Sequence, residues 1–469
     1  MKTCVISAKK MVLTILALAG AIHAQCQTGR ISVVPDCPFC DTSIIRGWNE
    51  EWSLLYSKSS TCGNQFHLVS MAGTILLSVQ TQCNVKDMEI IEDTAYFCGT
   101  DSAGVPVAGH FNINDIFSGT LQENLILLGN LPPCSTVPRR LEAFHVADGV
   151  HIVLVEDAFF PSGSVMRVLA DVFKTYTSSA WLIEVGYYTL FEESDYFFCD
   201  DVAVTEKYVF ASGHKRYSSG IYMRKFVKPT TAFLSPGTLY SIFQSPIGND
   251  IHFYPNNLVP NPYFNVVGDT YGEHYVYCAH ITGDDVVIAC LSINADTFGI
   301  TVKDIHVPSM FLQSDVFLSY SSSTLNYDWD VRDVRYDEVN KVVLVLHDKN
   351  ISIGPLKSVV TVLDYPAFLN RFSMYPVNNL YQSSIDCYPH NGAEMISCGK
   401  NDSGSHEFAF GMNDWGISLC YDRFEMPIMK SHEVIDRFSV PLNFRNNQMF
   451  LNTSFDKQLD LAIDVLCED

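Results

Sequence analysis

Two sets of residues have the types and spacing to do chemistry. Cys37 and Cys40 enclose Pro38-Phe39, the Cys-x-x-Cys spacing at which dithiol oxidoreductases exchange a disulfide. The second set is a series of acids: Asp87, Glu142, the neighbours Asp200 and Asp201, Asp333 and Asp386. Carboxylates that converge from rigid supports bind Ca²⁺ or a cationic ligand, because hard cations want several oxygens at once. Acids beside histidine at one opening would instead suit a hydrolase or lyase acting on a polysaccharide. Each set also has a plainer use. A thioredoxin-like site needs its first thiol at a helix N-terminus after a buried strand, and no βαβ pattern surrounds Cys37. A structural disulfide, or a tether for the N-terminal segment, is the expected role. Aspartates near turns commonly accept backbone N–H groups, so the acids are also expected to brace loops.

Short runs rich in Val, Ile, Tyr and Phe, punctuated by Gly, Asp, Asn and Ser, must position these residues; they read as antiparallel strands. Residues 85–111, 200–226 and 384–410 share one grammar: strand, short turn, strand ending in Gly, polar loop, strand. Looser copies start at Leu141, Tyr263 and Val331. The second strand of each copy is placed near Tyr96, His151, Tyr208, Tyr275, Val342 and Met395, with Met449 as a seventh position. A lone four-stranded sheet buries neither face, whereas sheets stacked radially bury both and leave only short edges. The expected fold is therefore all-β, a β-propeller of seven blades with six as the alternative. Closure is expected from strands at both chain ends, with the C-terminal segment joined by residues 66–80 or by WSLLY before them. On this reading the acids lie near one height of the inner strands and face the central channel.

The copies resemble secreted bacterial β-propeller repeats that read Asp-Val-x-Val, turn, Tyr-Val-x-Gly, loop, apolar strand. The resemblance is clearest at Asp201-Val202-Ala203-Val204 with Tyr208 to Gly213, and recurs at Asp87 with Tyr96-Phe97-Cys98-Gly99. It implies the fold and export, and carries no activity.

Lys9 and Lys10 precede the apolar run MVLTILALAGAIHA, which is too short to span a bilayer and ends in small residues. Residues 1–24 are thus expected to be a signal peptide, 25–50 an N-terminal segment, and 51–469 the propeller. No later stretch is apolar and long enough for a membrane span, and the expected location is secreted, periplasmic or at the cell surface. The formal charge of −22 becomes −25 once Lys2, Lys9 and Lys10 are removed. So acidic a surface repels phosphate backbones, which argues against nucleic acid as a partner. Removal of Cys4 from the fifteen cysteines leaves an even number, which allows complete pairing after export. Cys278 and Cys290 flank one hairpin turn and Cys387 and Cys398 another; both pairs are expected as disulfides, with Cys37 and Cys40 as further candidates.

Residues 228–262, rich in proline, read as an extended loop that could cover one mouth of the ring, or as a strand pair with long turns. Asp328-Trp329-Asp330 with Asp333 is cation-friendly but lacks the acid an EF-hand needs at 339. His274 and His280 fall on one strand face, and Trp52, Trp181, Trp329 and Trp415 would stack on sugars if exposed. No zincin, nucleophile-elbow, P-loop or dinucleotide motif occurs. The functional expectation is a non-catalytic propeller that binds a protein or glycan, with Asp87, Glu142, Asp201, Asp333 and Asp386 as candidate ligand-binding residues. A secreted propeller enzyme is the alternative. No cofactor is implied beyond a possible Ca²⁺.

Overall fold

The computed structural model describes residues 30–33 and most of 40–452. It omits 129–134, 160–164, 176–180, 216–220, 243–249, 256–275, 320–330, 351–355, 388–394, 402–406, 413–420, 439–447 and shorter loop pieces. The signal-peptide segment and Cys37 lie outside the described residues, as do His274, Asp328 to Asp330, Trp329 and Trp415.

Among the described residues, hydrogen bonding gives seven antiparallel sheets of four or more strands. Blade 1 consists of Cys40–Gly47, Trp52–Ser59, Gly63–Ser70 and Ile75–Thr81. Blade 2 is Asn84–Ile91, Thr94–Thr100, Pro106–Asn112 and Asn124–Leu127. Blade 3 begins with Ser135–Val146 and Gly149–Phe159, followed by Val165–Thr175 and Trp181–Tyr188. Blade 4 has Asp195–Val204, Tyr208–Lys215, Ile221–Val227 and Asp250–Pro255. Blade 5 has Tyr277–His280, Asp285–Asn294, Thr297–His306 and Phe311–Ser319. Blade 6 has Val331–Asp337, Val342–Asn350, Leu356–Asp364 and Leu369–Pro376. Blade 7 has Leu380–Cys387, Met395–Asn401 and Glu407–Met412, completed by Arg30–Val33 from the other end of the chain.

The first strand of each blade touches the first strand of the next, and blade 7 returns to blade 1. That cycle makes the fold a β-propeller. Its overall geometry also admits a count of six blades. We number seven, because seven hydrogen-bonded sheets supply seven inner strands and the ring of neighbours passes through all of them.

The core lies between blades. Val343, Val345 and Leu363 of blade 6 pack on Val287, Ala289 and Val302 of blade 5, while Val342, Leu344 and Leu346 face blade 7 and Ile385. The run Val342 to Leu346 is apolar throughout because both faces of its strand are covered. The marker glycine has an equally local cause. Gly99, Gly213 and Gly399 each pair with the residue just before a β-bulge in the inner strand: Val85, Cys199 and Gln382. A Cβ on Gly99 would overlap the Asn84 carbonyl, so only glycine permits that close approach.

Several sequence expectations need correction. Ring closure uses Arg30–Val33 with blade 7, and residues 66–80 stay within blade 1. Cys40–Gly47 is already the inner strand of blade 1, so the ring begins before residue 51. The second strand of blade 5 starts at Asp285, and Tyr275, the position expected for it, lies outside the described residues. Met449 starts no blade, because Gln448–Asn452 is an outer strand on blade 3. Three more late segments add outer strands: Tyr421–Phe424 to blade 6, Ile428–Met429 to blade 5 and Glu433–Phe438 to blade 4. Within 228–262, Asp250–Pro255 joins blade 4 and Phe233–Ser235 pairs with Thr238–Leu239, while 243–249 and 256–262 lie outside the described residues.

Neither argued disulfide forms, since Cys278 and Cys387 are free thiols. Register explains both failures. Cys278 pairs with Ile288, two residues short of Cys290. Cys387 pairs with Met395 while Cys398 pairs with Ser384, which places the two sulfurs on opposite faces of the sheet.

Candidate functional site

The inner strands present their channel-lining residues at two levels. In blades 2, 3, 4, 6 and 7 the residue just after the bulge is Asp87, Arg140, Asp201, Asp333 and Ser384. Two residues later, toward the side where each inner strand turns into its second strand, stand Glu89, Glu142, Ala203, Arg335 and Asp386. Here that side is termed the turn face. The five predicted acids therefore divide between two levels. Asp87, Asp201 and Asp333 form part of the lower one, and Glu142 and Asp386 belong to the upper.

The lower level is closed by its own partners. Asp87 Oδ1 accepts from Arg46 Nη2 at 2.7 Å and from the Met88 N–H at 3.0 Å; its Oδ2 accepts from the Leu141 N–H of blade 3 at 3.1 Å. Asp201 accepts from the Cys278 N–H of blade 5 at 3.0 Å, and Asp333 from the Val334 N–H at 3.0 Å. Arg46 also donates to the Met88 carbonyl at 2.8 Å and to Ser384 Oγ at 3.2 Å, and lies 3.9 Å from Asp333. Arg140 lies 3.9 Å from Asp87, and its guanidinium covers the Tyr277 ring at 4.7 Å. These carboxylates stitch neighbouring blades together, and two arginines balance their charge.

The upper level is open. It surrounds a cavity of about 470 Å³ whose lining includes Glu89, Glu142, Asp386, Arg335, His280 and Tyr336, with Glu206 and Lys228 at its edge. Ala279 of blade 5 also lines it, a short side chain where blades 2, 3, 6 and 7 carry Glu89, Glu142, Arg335 and Asp386. Asp386 is anchored by the Gly47 N–H at 2.8 Å, His280 Nε2 lies 3.0 Å from the Gly283 carbonyl, and Lys228 donates to the Thr205 carbonyl at 2.8 Å. Arg335 Nε lies 3.5 Å from Asp333 and 3.9 Å from Asp386 without a hydrogen bond to either, and the Tyr336 hydroxyl has no hydrogen-bond partner.

Burial raises the Glu89 carboxyl to about 7, although Arg335 and Arg46 pull it down. It raises Glu142 well above the usual range, helped by nearby Glu89 and opposed by Arg335. Asp201 is likewise raised to about 7 by burial, against the attraction of Arg140. Burial alone would lower Arg335, but Asp333, Asp386 and Glu89 keep its guanidinium charged. The cavity thus joins carboxyls raised by burial with a guanidinium that its acidic neighbours keep charged. Among the described residues no group of three or more His, Cys, Asp or Glu is arranged to hold a metal ion, so the Ca²⁺ site envisaged from the acids is not assembled.

Arg46, Arg140 and Arg335 escaped the sequence reading. A signal was there: Asp87 with Glu89, Arg140 with Glu142, Asp333 with Arg335 and Ser384 with Asp386 are polar pairs two apart, which a strand points the same way. Among the described residues no helix is long and apolar enough to cross a membrane.

No family model matches the chain, and no curated protein matches it. Solved structures are similar only in fold. The Cps50 (Swd1) β-propeller domain from Myceliophteria thermophila is 8% identical over 81% of this chain and 99% of that one, with a TM-score of 0.42. A protein of the DUF4623 family from Bacteroides eggerthii is 8% identical over 82% and 83%, at 0.35. A GH43 endo-arabinanase from Bacillus licheniformis is 11% identical over 60% of this chain and 94% of that one, at 0.31.

Proposed function

We propose that this chain is an exported, non-catalytic β-propeller that binds a protein or glycan partner at the turn-face cavity. One observation carries the reading: the channel is neutralised at its lower level and opens above into a polar cavity lined by Glu89, Glu142, Asp386 and Arg335. A hydroxyl-rich ligand can donate to such carboxyls and accept from the guanidinium, and an amine-bearing one can donate to the carboxyls. Export, as a member of a secreted bacterial repeat family, is supported by the leader-like N-terminus and by the blade grammar.

The test is calorimetric titration of the mature protein against a panel of oligosaccharides and peptides. Binding that is lost in Ala279→Leu, which adds bulk at the cavity wall, supports the proposal; binding untouched by that change removes it. A second reading has its own observation. Burial raises the carboxyls of Glu89 and Glu142 beside His280 and Asp386, the direction a general acid needs in a polysaccharide hydrolase or lyase. Shortened oligosaccharide products, lost in Glu142→Gln, would establish that reading instead.

A further inference from the structure

Strand direction assigns every exposed residue to one side of the wheel, and the apolar ones are unevenly shared. Leu76, Leu77, Phe117, Val227, Phe311, Val339 and Leu369 are large, exposed and on the turn face, whereas Phe159 is on the other side. Three of them, Leu369 at 62% exposure, Val339 at 55% and Phe311 at 54%, cap blades 5 and 6. They stand on the same face as the cavity mouth. Beneath them Tyr336 of the lining meets Tyr365 edge-on at 5.5 Å and Tyr365 meets the buried Phe368 at 6.1 Å, so the turns that carry Val339 and Leu369 rest on the core between blades 5 and 6. Ser314 Oγ donates to the Pro366 carbonyl at 3.3 Å, which ties the blade 5 rim to the second of these turns. Exposed apolar residues gathered on the face that also opens into a polar cavity have the form of an interaction surface.

Charge selects the occupant. The turns of the same face expose Glu50, Glu51, Glu92, Asp93, Glu206 and Glu338 against Lys207 and Lys341. Such a rim repels acidic and phosphorylated ligands and attracts basic ones. Resting on the binding reading above, we infer that the turn face over blades 5 and 6 docks a basic polypeptide with apolar anchors. Its aliphatic or aromatic side chains lie on Phe311, Val339 and Leu369, and a lysine or arginine enters the cavity among Glu89, Glu142 and Asp386.

Fluorescence anisotropy with a short alternating Leu-Lys peptide, a Leu-Glu counterpart and an oligolysine tests this. The Leu-Lys peptide is expected to bind best and to weaken about tenfold in Val339→Ser/Leu369→Ser. Phe159→Ser, on the opposite side, should leave it unchanged. Binding should also fall with salt, as attraction between exposed charges does. Equal binding of the Leu-Glu peptide, or equal loss in Phe159→Ser, overturns the inference. Circular dichroism of each variant shows that the ring is intact. If an oligosaccharide binds and Ala279→Leu abolishes it while the Leu-Lys peptide fails to bind, the docking inference falls and the cavity reading stands. If the peptide binds regardless of Ala279→Leu, the cavity reading falls.

Discussion

The two levels of one channel treat the same chemistry in opposite ways. Below, Asp87 has two backbone N–H groups and the Arg46 guanidinium within 3.1 Å, so it has little left to offer a ligand. Above, Glu89 and Glu142 share a partly open space with Arg335, and the Tyr336 hydroxyl is unpartnered. Acid residues alone do not distinguish these environments. Whether an arginine and a neighbouring strand reach the carboxylate does.

The largest expected effect breaks the lower level. Arg46→Met leaves Asp87 buried without its cation and should cost about 3–5 kcal/mol, read as a fall in the denaturant midpoint. Adding Asp87→Asn should recover part of the loss, because the stranded charge is then removed. A control for burial without partners comes next. Glu156 is 1% exposed, neither of its carboxyl oxygens has a hydrogen bond, and burial raises it to about 8, with Asp157 adding to the rise. Its folded value exceeds the unfolded value near 4.5, so the folded state holds the extra proton. The stability this gives is full below about 4.5 and is lost as pH rises through about 8. Glu156→Gln should therefore remove a slope of up to about 1.4 kcal/mol per pH unit from melts recorded between pH 5 and 9. Next is Ala279→Leu, which adds bulk to the cavity wall at a residue packed in the blade 5–6 core and should cost about 1–3 kcal/mol by overpacking while abolishing ligand binding. Smallest is Glu142→Gln, with about 0.5 kcal/mol or less in stability and its whole effect in affinity. Should Glu142→Gln destabilise as strongly as Arg46→Met, the contrast between the levels fails.

The blades were legible because their grammar has a local mechanical cause, in which a bulge in the inner strand needs glycine opposite. That pattern survives in Gly99, Gly213 and Gly399 wherever the surrounding loops differ. The heights of the acids were less legible. Counting back from the second strand assumes equal turns, yet Ile91 leads to Thr94 across two residues and Cys387 to Met395 across seven. The disulfides failed for the same reason, since a plausible turn does not fix register and one shifted residue reverses a side chain's face. The arginines were missed because acids were sought alone, although the spacing of two that joins Asp333 to Arg335 was in view.

The closing strands of the chain travel round the rim against the order in which the blades were laid down, from blade 6 to blade 5, then blade 4, then blade 3. Those four sheets therefore keep an unzipped outer border during synthesis, until the last segment has left the ribosome and can run back along them. A nascent chain of this kind is most prone to stick to its neighbours just before completion, and loss of residues 421–452 would make that vulnerable moment permanent.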